Sequence, residues 1–251
     1  MRTLLSKLGI KRQPAAPPEL VHTAGPPLQG AEMAVAYFSS RAGGDFSDFA
    51  RVSPYRFLFG LLDVAGKREE SRPVLLAAQE CFRSAGAELF GGLDLNEAEV
   101  MTELARRLNR EIMRAAGGVR SCPAFAGCYN EELGTVCYFN AGHTPGLLRD
   151  HSSIVELPAT GLPLGLFSLS AAESRIVGLG PKSSMAVVSR GVVEAQCQTE
   201  EFGLAGVKHV MTTGAETATA LSRGILEQVQ DFMCKVPTHN DVTALTLLRG
   251  D

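Results

Sequence analysis

The sequence has 251 residues, enough for one large domain or two small ones. Apolar residues make up 45% and charged residues 20%, the balance of a globular protein that can bury a sizeable core. The net charge of −3 gives no reason to expect a nucleic acid as partner. No apolar run reaches the length of a membrane-spanning helix, and the basic N-terminus lacks the apolar stretch of a signal peptide, so the expected location is the cytoplasm.

Residues 1–30 are predicted to form a tail and linker ahead of a single domain over 31–249. Residues 1–12 have the spacing of a short amphipathic helix, for which a membrane-surface anchor and a frayed tail are both open. The small apolar face favours the tail. Residues 13–30 contain five prolines and few large apolar residues, which is typical of an extended linker.

The domain is predicted to begin with strands, continue with helices and return to strands. In chain order we expect strands at 34–38 and 56–64, helices at 73–90 and 96–115, strands at 123–129, 135–139, 146–149 and 184–188, a helix at 215–236 and a strand at 243–248. The dense apolar run at 56–64 indicates a strand buried on both faces. Because strands and helices do not alternate strictly, the pattern favours an α+β sandwich over a doubly wound sheet.

The second helix has the clearest local signals. Asn96 is an expected N-cap, and Gly117 is expected to end the helix. Apolar residues at four-residue intervals mark the buried face, and these are Val100, Leu104, Leu108 and Ile112.

The six cysteines are scattered and none forms a Cys-x-x-Cys pair. This pattern is typical of reduced, mostly buried thiols in a cytosolic protein.

Three acids stand at predicted strand ends. Asp45 follows two glycines, Asp63 ends a buried strand, and Asp241 precedes the last strand. Hard cations such as Mg²⁺ and Mn²⁺ prefer carboxylate and carbonyl oxygens, so acids gathered at strand ends can build a metal site. Acids at turns also serve only as caps or soluble groups, and the spacing leaves both interpretations open.

Six segments together resemble the bacterial stage II sporulation (SpoIIE-like) branch of the metal-dependent, type 2C-like (PPM) protein phosphatases. The segments lie at 43–46, 63–67, 140–145, 161–166, 189–195 and 240–243. The resemblance implies a four-layer αββα sandwich with two central, mostly antiparallel sheets flanked by helices. It also implies metal-dependent hydrolysis of phosphoserine or phosphothreonine on a regulatory protein, and Mn²⁺ or Mg²⁺ as cofactor.

The resemblance also implies roles for individual residues. In the family, two metal ions hold the water that attacks phosphorus. Asp63 matches the acid that bridges both ions, the carbonyl of Val64 matches a further ligand, and Asp45 matches a supporting acid, so Asp45 and Asp63 are the expected catalytic residues. Two positions depart from the pattern. Arg190 stands where the family has the acid of Thr-Asp-Gly, and Asn240 stands where it has the first acid of Asp-Asp.

These departures weaken the expected metal site. Arginine stays protonated and has no acceptor, while an asparagine oxygen can coordinate a cation but adds no charge. We therefore expect at most one weakly bound Mn²⁺ or Mg²⁺ ion, with Arg190 turned inward to pair with Asp45 or Asp63. Two functions are open: a phosphatase with impaired activity, and a catalytically silent pseudophosphatase that binds a protein or phosphopeptide.

The surroundings of the site carry weaker signals. The charged stretch at 68–73 replaces small residues that usually follow the Gly-Lys turn, so it alters the rim of the site and offers a surface to a partner protein. A solvated charge run is the plainer interpretation. For His143 a hydrogen-bonded turn is favoured over a role as general acid. The expected partner is a phosphorylated regulatory or other signalling protein, and a homodimer is left open.

Overall fold

The computed structural model describes residues 19–38, 44–66, 68–151, 153–169, 172–233 and 241–251. In chain order its elements are β1 (Val21–Ala24), β2 (Ala31–Phe38), β3 (Asp45–Arg51), β4 (Arg56–Asp63), α1 (Arg68–Phe90), α2 (Glu97–Ala116), β5 (Ala124–Asn130), β6 (Thr135–Ala141), β7 (Gly146–Arg149), β8 (Ile154–Leu157), β9 (Arg175–Gly178), β10 (Ser184–Val188), α3 (Arg190–Val193), β11 (Gln196–Cys197), β12 (Glu200–Glu201), α4 (Gly203–Thr212), α5 (Ala218–Phe232) and β13 (Val242–Arg249).

Two antiparallel sheets form the centre of the fold. One has the strand order β1-β2-β13-β10-β7-β8, and the other has the order β3-β4-β5-β6-β9. A core of mainly aromatic and branched residues lies between the sheets. A second core joins α1 and α2 to the outer face of the β3–β9 sheet, and a third joins α4 and α5 to the other sheet. The predicted four-layer αββα sandwich is confirmed.

Strand β4 shows how the sequence builds these layers. Successive side chains of a strand point to opposite faces. Phe57, Phe59 and Leu61 therefore pack between the sheets, whereas Leu58 and Leu62 pack against α1 and α2. The strand is buried on both faces, as its continuous apolar run predicts.

Helix α2 also follows the sequence prediction closely. The side chain of Asn96 accepts hydrogen bonds from the backbone N–H groups of Ala98 and Glu99, and Gly117 ends the helix with φ of 64°. One residue of the predicted face differs, because Met101 is buried and Val100 is only partly buried.

Several elements differ from the sequence prediction. Helix α1 begins at Arg68, five residues before the predicted start. Strand β7 follows β5 and β6 in the chain but lies in the other sheet, where it pairs with β8 and β10. Strand β1 lies within the segment predicted as a linker and pairs with β2, while the predicted boundary at residue 31 otherwise stays a prediction.

The cysteines also depart in part from the prediction. Four are buried, reduced thiols: Cys81, Cys122, Cys128 and Cys137. Cys197 is disulfide-bonded, so the prediction of reduced thiols is wrong at this position. Cys234 and the predicted N-terminal amphipathic segment lie outside the described residues. Within the described ranges, no helix is long and apolar enough to span a membrane.

Candidate active site

Two acids meet at one end of the β3–β4 pair. Asp45 begins β3, Asp63 ends β4, and the two residues are direct partners in the antiparallel register. Residues in such a position have Cβ atoms about 5 Å apart. The structure therefore brings together the two residues predicted to be catalytic.

The protein environment raises the pKa of both acids. Burial raises the pKa of Asp45 to about 8, and the negative charge of Asp63 adds to this rise. The Thr243 hydroxyl opposes it by donating a 2.8 Å hydrogen bond to Asp45 Oδ2. Burial also raises the pKa of Asp63, while the positive charge of Arg190 opposes that change.

Asp241, the residue immediately before β13, is the third acid of the cluster. Its Oδ2 atom accepts a 2.7 Å hydrogen bond from the backbone N–H of Gly44 and a 3.2 Å hydrogen bond from that of Asp45. The sequence identified Asp241 as one of three acids at strand ends but did not predict which residues it contacts. In the structure the Asp241 side chain links the start of β13 to the start of β3, although these two strands lie in different sheets.

Ser189 connects the Asp241 segment to the turn that contains Arg190. The Ser189 hydroxyl donates to the backbone oxygen of Asp241 at 3.1 Å and accepts from the backbone N–H of Thr243 at 3.0 Å. The Ser189 side chain is fully buried. Its position fixes the end of β10 against β13, and it therefore fixes where α3 and Arg190 begin.

Arg190 faces the acids, as the sequence predicts. Its Nη2 atom lies 3.6 Å from Asp63 Oδ2, and its Nε atom lies 3.8 Å from Glu194 Oε1. The Arg190 side chain is 53% exposed, whereas that of Asp63 is 17% exposed. The guanidinium therefore covers Asp63 from the solvent side and supplies a positive charge beside it.

Val64 continues β4 past Asp63 and contacts Gly44. Its N–H donates to the backbone oxygen of Gly44 at 3.0 Å. A Cβ atom placed on Gly44 would lie only 2.7 Å from the Val64 carbonyl oxygen. Only glycine permits this close approach, which holds the carbonyl of Val64 beside the acid pair.

The ligand set of the site is only partly described, and its carboxylates already have partners within the chain. Asp45 and Asp241 each have a carboxylate oxygen that accepts hydrogen bonds, and Asp63 faces a guanidinium. Within the described ranges, no three histidine, cysteine or acidic side chains form a group that could hold a metal ion. Asn240, the remaining predicted ligand, lies outside those ranges.

His143 lies in a buried turn that braces the same region. The backbone N–H of His143 donates to Asn140 Oδ1 at 2.8 Å, and Thr144 Oγ1 donates to the backbone oxygen of Val188, next to Ser189. Burial lowers the pKa of the His143 ring to about 4, and its Nε2 atom has no hydrogen-bond partner among the described residues. These contacts agree with the predicted turn histidine.

The family model of stage II sporulation protein E (SpoIIE) matches residues 53–249, most of the chain. The chain belongs to the SpoIIE family. Among curated proteins it is similar to the phosphoserine phosphatase RsbP of Bacillus subtilis (strain 168), with 24% identity over 167 residues. That match covers 66% of this chain and 40% of RsbP.

Solved structures support the same fold for this SpoIIE-family chain. The RsbU and RsbW domains of Rv1364c from Mycobacterium tuberculosis superpose with a TM-score of 0.70 at 21% identity, covering 88% of this chain and 62% of that one. The catalytic domain of the serine/threonine phosphatase PstP, solved with two manganese ions, has a TM-score of 0.65 at 10% identity, covering 92% and 99%. A PPM phosphatase of this fold thus binds metal. The chain spans less than two thirds of the length of RsbP and of the Rv1364c structure.

Proposed function

We propose that this chain is a serine/threonine protein phosphatase domain that acts on a phosphorylated regulatory protein, with hydrolysis impaired by the loss of two acidic ligands. Family membership and the opposed pair of Asp45 and Asp63 support the phosphatase assignment. The main support for impaired hydrolysis is the position of the Arg190 guanidinium, whose Nη2 atom lies 3.6 Å from Asp63 Oδ2. A permanent positive charge at that distance competes with a dication for the same carboxylate.

The proposed cofactor is at most one weakly bound Mn²⁺ or Mg²⁺ ion, held by Asp63 and the Val64 carbonyl. The related PPM structure with two manganese ions supports the choice of metal. Asn240 offers a neutral oxygen in place of a carboxylate, so we expect the second ion to be missing.

The Arg190–Asp63 pair is also compatible with a second candidate, a catalytically silent domain that binds a protein or phosphopeptide. A guanidinium held at the mouth of the site can donate two hydrogen bonds to a phosphate. In this candidate the phosphate is retained by Arg190 and never hydrolysed.

Phosphate release separates the two candidates. We would incubate the protein with a phosphoserine peptide and Mn²⁺, and compare it with a variant carrying Arg190→Asp and Asn240→Asp. Impaired hydrolysis predicts a slow, Mn²⁺-dependent release by the native protein that rises strongly in the double variant. The silent candidate is supported if two results are found together. Phosphate release by the native protein should not exceed the rate without enzyme, and the native protein should bind the peptide more tightly than Arg190→Ala does. Native turnover of about 1 per second or faster, the ordinary enzyme range, contradicts both.

A further inference from the structure

A cleft of about 590 Å³ opens beside the acid cluster. Asp45, Asp241 and Thr243 form its inner end, so it is continuous with the candidate active site. The other walls come from the end of β2, the start of β3 and the first turns of α1. This volume lies within the range of roughly 300–1,000 Å³ that is usual for ligand-binding clefts, and it is far larger than a phosphate group needs.

The cleft runs along the edge of β3. Asp45, Phe46 and Ser47 all line it, although successive side chains of a strand point to opposite faces. A cavity lined by three consecutive residues therefore reaches the backbone edge of the strand as well as its faces. Among the described strands, β3 has a neighbour only on its β4 side. The Asp45 N–H on this edge already donates to Asp241, so the backbone groups that an extended peptide can pair with begin at Ser47.

The opposite wall is apolar and exposed. Helix α1 contributes Leu75 and Leu76, and β2 contributes Tyr37. Leu76 is 56% exposed and Tyr37 is 38% exposed, although each is large enough to be buried in a core. Apolar side chains gathered along a groove beside an active site are suited to contact an apolar side chain of a ligand.

Arg72 adds a positive charge to this wall. It is exposed, lines the cleft, and makes no ion pair with the described part of the chain. It belongs to the charged stretch that replaces small residues after the Gly-Lys turn. An exposed cation on the rim of a cleft complements an acidic group on a ligand.

The dimensions favour a short extended segment. From Arg72 to Gln79 the helical wall rises about 1.5 Å per residue, or roughly 10 Å in all. An extended chain advances about 3.3 Å per residue, so about three residues of a peptide would lie along this wall. The segment would then continue to the acid cluster at the inner end of the cleft.

We propose that the cleft binds an extended peptide segment of a protein partner along the free edge of β3, with an apolar side chain against Leu75 and Leu76 and an acidic side chain at Arg72. The inference deepens the proposed function, because the same segment would place its phosphorylated residue at Asp63 and Arg190. Arg72, Leu75 and Leu76 are then specificity-determining residues that do not take part in hydrolysis.

A positional peptide library tests this inference directly. The probes are short immobilised peptides with a fixed central phosphoserine, and the same peptides with serine, in which each flanking position is varied in turn. We expect the native protein to select an apolar residue and Asp or Glu at fixed distances on one side of the centre. The preference for an acid over a base should be roughly two- to fivefold, the scale of an exposed ion pair.

Charge reversal provides the decisive variant. Arg72→Glu should reverse the preference from Asp and Glu to Lys and Arg, which a simple loss of folding cannot do. Leu76→Ser should reduce the apolar preference by about fivefold, because an apolar contact is lost. The matched controls are Arg110→Glu on α2 and Leu93→Ser, which alter exposed side chains of the same kinds away from the cleft and should leave the selection unchanged.

The outcomes separate this inference from the proposed function. Selection with reversal in Arg72→Glu, but no phosphate release, supports the cleft and argues against catalysis. Phosphate release with no flanking selection, or a selection that is identical in the native protein, Arg72→Glu and Leu76→Ser, overturns the cleft as a peptide site.

Discussion

Arg190 Nη2 lies 3.6 Å from Asp63 Oδ2, at the position where the family pattern places an acid. The neighbouring acids are satisfied by the protein in other ways. Asp45 accepts from the Thr243 hydroxyl, and Asp241 accepts from two backbone N–H groups. Each of the three carboxylates therefore has a partner within the chain.

Restoring the missing acids should make the fold responsive to metal. In Arg190→Asp with Asn240→Asp, Mn²⁺ would bind the folded site and not the unfolded chain, so the melting temperature should rise with Mn²⁺ concentration. A concentration of 100 times the dissociation constant corresponds to about 2.7 kcal/mol of added stability. Thermal melts with and without Mn²⁺, and with EDTA, measure the effect.

A matched arginine gives the control for this experiment. Arg223 on α5 is 50% exposed and pairs with Glu227 four residues later, as Arg190 pairs with Glu194. Arg223→Asp makes the same change of charge without adding an acid to the cluster, and its melting temperature should not respond to Mn²⁺. Identical melts of the double variant with and without Mn²⁺ would show that Arg190 does not stand in for a cation.

The Ser189 hydroxyl should contribute to stability through the backbone that it satisfies. In Ser189→Ala the buried N–H of Thr243 loses its acceptor, and an unsatisfied buried donor costs about 1–3 kcal/mol. Ser222 is equally buried, and its hydroxyl donates to the backbone oxygen of Thr219 in the same helix, its one hydrogen bond among the described residues. Urea unfolding should therefore show a clearly larger loss for Ser189→Ala than for Ser222→Ala, and equal losses would refute the assigned role.

Local patterns in the sequence predict a large part of this fold. The apolar run of β4 and the capped helix α2 are recognisable because their signals lie within a few adjacent residues. The site residues Asp45 and Asp63 could be named because they follow motifs of the family. The inward direction of Arg190 followed from its place in the family pattern together with charge, since two adjacent acids attract a cation.

The contacts that the sequence did not reveal join distant segments. The bond from the Gly44 N–H to Asp241 spans 197 positions, and no local pattern encodes it. Strand β3 was missed because it is a partly exposed edge strand whose polar and apolar residues do not alternate regularly. The cleft was missed for the same reason, because it forms only where β3, β2 and α1 come together.

Gly44 should be intolerant of a side chain. In Gly44→Ala the new Cβ would lie 2.7 Å from the Val64 carbonyl oxygen, and that oxygen belongs to the backbone and cannot turn aside. We expect a loss of about 1–3 kcal/mol in the free energy of unfolding, the usual cost of overpacking. Gly178→Ala in β9 is the control, because no atom lies within 4 Å of its new Cβ. A Gly44→Ala protein as stable as Gly178→Ala would contradict the close approach.

His143 should make the protein less stable in mild acid. Burial lowers the pKa of its ring to about 4 from an ordinary value of 6.5, so the unfolded chain binds a proton more readily than the folded protein between these values. The stabilising contribution is complete above pH 6.5 and is lost as the pH falls towards 4. Between pH 7 and pH 5 the loss from this group should be on the order of 2 kcal/mol.

His143→Asn isolates this contribution from that of the other titrating groups. Asparagine keeps a polar nitrogen near the position of Nδ1 but cannot gain a proton in this range. The variant should be less stable than the native protein at pH 7, because the smaller side chain leaves a gap, and the difference should shrink by about 2 kcal/mol at pH 5. Urea unfolding at both pH values measures it, and NMR titration of the native ring should give a midpoint near 4. A midpoint at the ordinary value, or a stability difference that does not change with pH, would show that the ring is hydrated in solution and not enclosed by the turn.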